Sequence, residues 1–193
     1  CVEVLTGFKY IGEKIHEWEK SPTGYTFLFG AEESYGFLIG TYARDKDAVS
    51  ACCLMAEIAL DAKRKQKTLV DILYDIYRAL GLYRERQHSI AFKPGKEGTE
   101  EMKNLMKKLR AHLPEAESVE DYAQGFNGLP PADVLLFRLK GGSKIVIRPS
   151  GTEPKIKVYV STHEIHFTSI EAGIAACEKK LDDLIKQVQS WLH

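Results

Sequence analysis

Arg148-Pro-Ser-Gly-Thr-Glu-Pro-Lys-Ile-Lys157 gathers a guanidinium, two hydroxyls, one glycine and two lysines into a single short stretch. Pro149 and Pro154 interrupt what would otherwise be one long β-run, so the stretch reads as a loop between two strands. Reversing the chain needs less: Gly141-Gly142, one strand earlier, is the usual two-residue turn. The longer loop therefore points to a ligand. A glycine lets backbone N–H groups approach a bound group closely, hydroxyls add donors, and a guanidinium matches the forked geometry of an oxyanion. Arg148, Ser150, Gly151 and Thr152 are expected to hold a phosphate. In the strand that follows, Ile156, Val158 and Val160 share one face, while Lys155, Lys157 and Tyr159 share the other. Lys155 reads as an ordinary exposed cation.

A second loop, Gly30-Ala-Glu-Glu-Ser-Tyr-Gly36, sets Glu32, Glu33 and Ser34 between glycines at the end of a strand. Carboxylates and a hydroxyl so placed can hydrogen-bond a polyol; they can equally bind a metal or simply be solvated. Thr6-Gly-Phe-Lys9 is weaker, and Lys9 taken alone is a surface lysine. No serine lies in a histidine-and-acid setting, and His16, His88, His112, His163, His166 and His193 are assigned no role. No Asp-x-Asp-x-Asp cluster offers a site for a hard cation, and no Gly-rich P-loop precedes a helix. The motifs suit holding a phosphosugar, without an evident nucleophile.

These loops must be positioned by a chain of 193 residues, enough for one large or two small domains. Lys and Arg total 27 against 27 Asp and Glu, so no global charge draws the chain to nucleic acid or an acidic membrane. No apolar run approaches the roughly 18 residues that suggest a membrane span. Cys1, Cys52, Cys53 and Cys177 lack metal-ligand spacing and read as reduced thiols of a cytoplasmic protein.

Val2–Leu5 and Tyr25–Phe29 are expected as strands, and Ala48 to about Lys65 as a buried helix whose N-terminus carries Arg44-Asp-Lys-Asp47. The basic run Lys63–Lys67 suits the negative end of that helix. A second helix opens at Thr68, carries Leu69, Ile72, Leu73, Ile76, Tyr77 and Leu80 on one face, and stops at Gly81. Two strands and two helices fall short of a complete α/β sheet, so the opening third reads as the latter part of a domain. Beyond Gly81 come a strand over Glu85–Phe92, a helix capped by Thr99, a turn-rich region to Pro131, strands at Val134–Leu139, Ser143–Ile147 and Ile156–Val160, and a last amphipathic helix. This pattern describes an α+β domain with an antiparallel sheet of about four strands, one face covered by two helices. The boundary falls near 81–86, giving units of 1–82 and 83–193.

The acidic loop, Ala43-Arg-Asp-Lys-Asp-Ala48 and Arg148-Pro-Ser-Gly-Thr-Glu-Pro154 occur in this order in the α-D-phosphohexomutases, which the whole chain resembles. It looks most like the bacterial phosphoglucomutase/phosphomannomutase branch. The resemblance implies the end of the third domain followed by all of the fourth domain of a four-domain enzyme. In that family, the resemblance implies, a phosphoserine in the first domain passes its phosphoryl group to glucose 1-phosphate, and the glucose 1,6-bisphosphate intermediate turns over and returns its other phosphoryl group to the serine, leaving glucose 6-phosphate. Mg2+, held by a second-domain loop, assists. Both the serine and the metal loop would precede Cys1, so this chain alone is expected to be inactive. By similarity Glu32 or Glu33, with Ser34, would bind sugar hydroxyls, Glu33 matching the contact position. Arg148, Ser150, Gly151 and Thr152 would bind the phosphate that is not transferred. Lys9 matches a lysine close to the sugar, and Lys157 a position that is often arginine. The implied partners are the phosphosugar and the N-terminal domains of the same enzyme, with no nucleic acid and no membrane. A stand-alone phosphate-binding or interaction module is the alternative, and a preference between glucose and mannose phosphates is not legible.

Overall fold

The computed structural model describes residues 1–32 and 34–192. Two compact units divide it, Cys1–Leu73 and Tyr74–His193.

The first unit begins with α1 (Phe8–Lys20), followed by a hairpin of β1 (Phe29–Ala31) and β2 (Phe37–Ile39), then α2 (Ala48–Arg64). Val2–Leu5 forms no strand, and the strand expected from Tyr25 is paired only from Phe29 onward. A strand needs a partner, and the register Phe29↔Ile39 to Ala31↔Phe37 supplies one for three residues. Helix α1, unforeseen in the sequence, places Phe8, Ile11 and Ile15 on one face at spacings of three and four. Phe8 and Ile15 bury with Leu38 as the small core of this unit, and Ile11, Phe27 and Ala43 pack against it. Gly12 lies on the same helix where a methyl group would stand 2.7 Å from the Arg44 carbonyl oxygen, so the 41–47 segment runs tight against α1. The Arg44 guanidinium fixes that approach by reaching Glu19 at 2.5 Å.

Helix α2 differs from its expected burial. Only Ala62 is buried, while Val49, Met55 and Leu60 are 72%, 52% and 52% exposed. Its apolar composition marks a helix that packs on several sides, and this chain covers few of them. Asp47 caps it, accepting from the Val49 and Ser50 amides at 3.0 and 3.1 Å. The Tyr42 hydroxyl, chiefly, and then Ser50 hold the Asp47 carboxyl down to about 2. A depressed carboxylate stabilises the fold above its unfolded value near 4 and loses that contribution as pH falls through about 2. Asp47→Ala should therefore lower the melting temperature at pH 7, and the gap to the parent should close between about pH 4 and 2. Thermal melts at several pH values check this.

Helix α3 (Leu69–Leu80) begins with a reciprocal cap: Thr68 N–H donates to the Asp71 carboxylate at 2.7 Å, and Asp71 N–H donates to the Thr68 hydroxyl at 3.1 Å. Gly81, at φ 97°, ends it.

The second unit holds β3 (Leu82–Ala91), α4 (Lys96–Ala111), β4 (Ser118–Asp121), β5 (Leu135–Arg138), β6 (Lys144–Pro149), β7 (Lys155–Glu164) and α5 (Ile170–Leu192). The strands form one antiparallel sheet in the order β3-β7-β6-β5-β4. Strand β4 adds a fifth member, from the region read as turns. Helix α4 starts at Lys96 after Gly95, so Thr99 is not its cap; the Thr99 hydroxyl donates back to the Gly95 carbonyl at 3.0 Å.

One face of the sheet presents Leu135, Phe137, Ile145, Ile147, Ile156, Val158 and Val160. Met102, Met106 and Leu109 of α4 and Leu181, Leu184 and Val188 of α5 cover it. Each such side chain contributes about 1.5–3 kcal/mol by leaving water. Edge strand β3 is tied to α5 by ions as well: Arg84 and Arg86 both reach Glu178, and Arg86 also reaches Asp182. On β4, Glu120 pairs with Arg138 of β5 at 2.6 Å. No helix among the described residues is long and apolar enough to cross a membrane.

Candidate functional site

Burial sets the 148–157 loop. Ile147 and Ile156 are fully buried on the helix-covered face, so with a side-chain period of two Arg148 and Lys157 must lie on the opposite face. The register then sets them directly across from each other, Arg148↔Lys157. Two like charges in that position repel. The half-buried Arg148 side chain takes no hydrogen bond or ion pair among the described residues, whereas Arg44, Arg78, Arg84, Arg86, Arg110 and Arg138 each have a carboxylate partner and Arg64 is exposed. A half-buried guanidinium facing a lysine without a counter-charge is a place for an anion.

The loop between these strands is closed by its own backbone. Ser150 N–H donates to the Lys155 carbonyl at 2.8 Å, Lys155 N–H to the Glu153 carbonyl at 2.8 Å, and Phe92 N–H to the Pro154 carbonyl at 2.9 Å. The Ser150 amide is thus committed, which leaves that residue its hydroxyl for a ligand. Gly151 has no left-handed φ, and a methyl group added to it would meet nothing within 4 Å. Neither backbone strain nor protein packing requires a glycine here. The open space at Gly151 leaves room for an outside group to approach the backbone closely. Lys155, expected as an exposed cation, is half-buried and ion-paired with Glu153. Lys155 and then Lys157 hold the Glu153 carboxyl below the usual range.

In the first unit, Glu32 follows β1 and its N–H donates to the Gly36 carbonyl at 2.9 Å, closing the acidic loop. Glu33, the expected contact position, lies outside the described residues. Ser34 is exposed, and Tyr35 turns the chain at φ 66°. A methyl group on Gly36 would stand 2.8 Å from a Glu32 carboxylate oxygen and 2.9 Å from Cδ of Lys46, the outer atoms of two flexible side chains that meet over this glycine. Lys46, which the sequence reading does not single out, is thus brought beside Glu32. Its ammonium lies 3.0 Å from Asp45 and 5.7 Å from the Phe8 ring centre. Asp45 above all, with a contribution from Glu32, raises its pKa. The signal for it was the Ala43–Ala48 motif, whose lysine looks like any surface cation until the fold turns it toward the acidic loop. Lys9 sits in the first turn of α1 with its ammonium 4.9 Å from the Tyr10 ring centre, and has no ion pair to Glu32 among the described residues. The described residues include no group of three or more His, Cys, Asp or Glu suited to a metal.

The fold and these loops define a chain that joins an α/β element bearing an acidic loop to a sheet-and-helix unit bearing a cationic one. Residues 1–79 match the model of the phosphoglucomutase/phosphomannomutase alpha/beta/alpha domain III, and residues 96–164 match that of the phosphoglucomutase/phosphomannomutase C-terminal domain. The chain belongs to the phosphoglucomutase/phosphomannomutase family. It is 37% identical over 189 residues to a phosphoglucomutase of Staphylococcus haemolyticus, which covers 89% of this chain and 34% of that protein. A phosphoglucomutase of Staphylococcus aureus is 34% identical over 192 residues, covering 90% of this chain and 34% of its own. The chain thus spans about a third of the length of these curated relatives. A crystal structure of the exocytosis-sensitive phosphoprotein pp63/parafusin, a phosphoglucomutase from Paramecium in its open form, superposes with a TM-score of 0.66. It shares 18% identity, covers 97% of this chain and 32% of its own, and attests the fold.

Proposed function

We propose that this chain is the substrate-recognition part of a phosphohexomutase that interconverts glucose 1-phosphate and glucose 6-phosphate, with the corresponding mannose phosphates as the other candidate substrates. Residues 1–82 form the end of the sugar-binding domain and residues 83–193 the phosphate-binding domain. Arg148, Ser150, Gly151, Thr152 and Lys157 bind the phosphate that is not transferred; Glu32, Glu33, Ser34 and Lys9 bind the sugar. The single observation that carries the reading is the half-buried Arg148, unpaired and opposite Lys157, beside a glycine that the loop itself does not require.

The division of labour follows from the chemistry. A bisphosphate intermediate must offer either end to the phosphoryl donor, so recognition has to accept two orientations. One anion clamp plus contacts to sugar hydroxyls serves both, and phosphoryl transfer depends mainly on such positioning and on charge stabilisation. The donor serine and the Mg2+ belong, in this reading, to other domains of the same cytoplasmic enzyme. The exposed apolar side of α2 fits cover by the remainder of the α/β domain to which residues 1–82 are assigned.

A titration of the chain with glucose 6-phosphate, followed by backbone amide NMR, tests the proposal. Shifts should cluster at residues 148–153. Gly151→Ala should keep the melting temperature within the change of about 0.5 kcal/mol typical of neutral surface substitutions, yet lose most of those shifts. Shifts along Lys63–Lys67 instead, or an unaltered response in Gly151→Ala, would reject the assignment.

A further inference from the structure

One member of the 148–157 loop opposes the chemistry of the rest. Glu153 places a carboxylate where an anion is to be received. It is held there: its side chain pairs with Lys155, and the Lys155 N–H donates to the Glu153 carbonyl at 2.8 Å. The Lys155 carbonyl in turn accepts from Ser150 N–H at 2.8 Å, so this pair sits inside the hydrogen bonds that shape the loop. Pro154, between the two residues, restricts their backbone further.

We infer that Glu153 is a specificity-determining residue of the anion loop, a built-in counter-charge that takes Lys155 out of the binding set and leaves Arg148 and Lys157 to meet a dianionic phosphate ester. The inference rests on the phosphate reading of this loop. Its arithmetic is short: Arg148, Lys155 and Lys157 give three positive charges, Glu153 one negative, and the difference is two. A phosphate monoester above its second pKa, about 6, carries nearly two negative charges. A loop lacking Glu153 would present three cations, hold small anions more firmly and release a product more slowly.

Inorganic phosphate is the probe, added to the whole 193-residue chain at about pH 7.5 and followed by amide shifts of residues 148–157, in the parent, Glu153→Gln and Arg148→Lys. Glutamine keeps the shape of the side chain and removes its charge. Lifting one unit of repulsion at a screened surface site should tighten phosphate binding by about three- to ten-fold and steepen its dependence on salt. Arg148→Lys should weaken it in the same titration. Loop shifts in the parent with unchanged or weaker binding in Glu153→Gln would overturn the role of Glu153 alone. A parent whose loop does not respond to phosphate, while other residues do, would overturn the phosphate reading and this inference with it.

Discussion

Arg148→Ala, introduced into the full-length protein, is expected on the proposed function to lower kcat/KM for glucose 1-phosphate by about 10²–10³-fold while leaving the fold intact. Two charge-assisted hydrogen bonds to phosphate are worth roughly 1.5–3 kcal/mol each, and Lys157 on the same face retains part of the attraction. Removing the guanidinium also relieves its repulsion with Lys157 across the β6–β7 pair, so the melting temperature should stay level or rise slightly. Arg148→Lys should recover little, because an ammonium cannot make the two parallel bonds. Steady-state kinetics beside a thermal melt separate the outcomes. A lower melting temperature with kcat/KM unchanged would make Arg148 a structural residue.

The opposite pattern is expected at Phe137. Its side chain is fully buried between the sheet and the helices, with its ring centre 5.2 Å from that of Trp191. Phe137→Ala should cost about 3–5 kcal/mol through lost burial and the cavity left behind. Against a typical total of about 5–15 kcal/mol, that is a large fraction, and the midpoint should fall by roughly 10–20 °C. Denaturant unfolding of the chain measures it. Phosphate binding by the molecules still folded should be normal, since Phe137 lies on the covered face and Arg148 on the other. A cost below about 1 kcal/mol would contradict the packing described for this core.

What the sequence discloses follows from which signals are local. Ile156, Val158 and Val160 alternate with Lys157 and Tyr159, the β-branched run Ile145-Val-Ile147 is flanked by Lys144 and Arg148, and neither signal needs knowledge of partners. Those strands and the face of the lysines were legible for that reason. So were the caps at Asp47 and Gly81, where one side chain or one φ decides. Strand β4 was not, because Ser118–Asp121 is a strand only by virtue of pairing with β5. Tyr25–Leu28 has strand composition without a strand's ladder, and α1 was hidden by the glycine and charges between its apolar positions. At the site, the residue types of the anion loop were visible in order. The commitment of the Ser150 amide and the approach of Lys46 to Glu32 were not, since each arises from a backbone turn that brings together residues several positions apart.

The strand order also dictates when the second unit can form. β3, the first strand of this unit, pairs along its whole length with β7, the last, from Leu82↔Glu164 to Ala91↔Lys155. On a ribosome, β3 must wait for some seventy residues of later chain before its neighbour exists, and α5 follows later still. Such distant pairings close large loops before they return any contact energy, which slows folding and leaves apolar strands uncovered in the interval. The anion loop, by contrast, joins the adjacent strands β6 and β7 and is closed by its own backbone, so it can form before β3 docks; only the Phe92 N–H to the Pro154 carbonyl waits for that event. A nascent chain stalled before about residue 165 should therefore be protease-sensitive along β3 while the loop is already shaped.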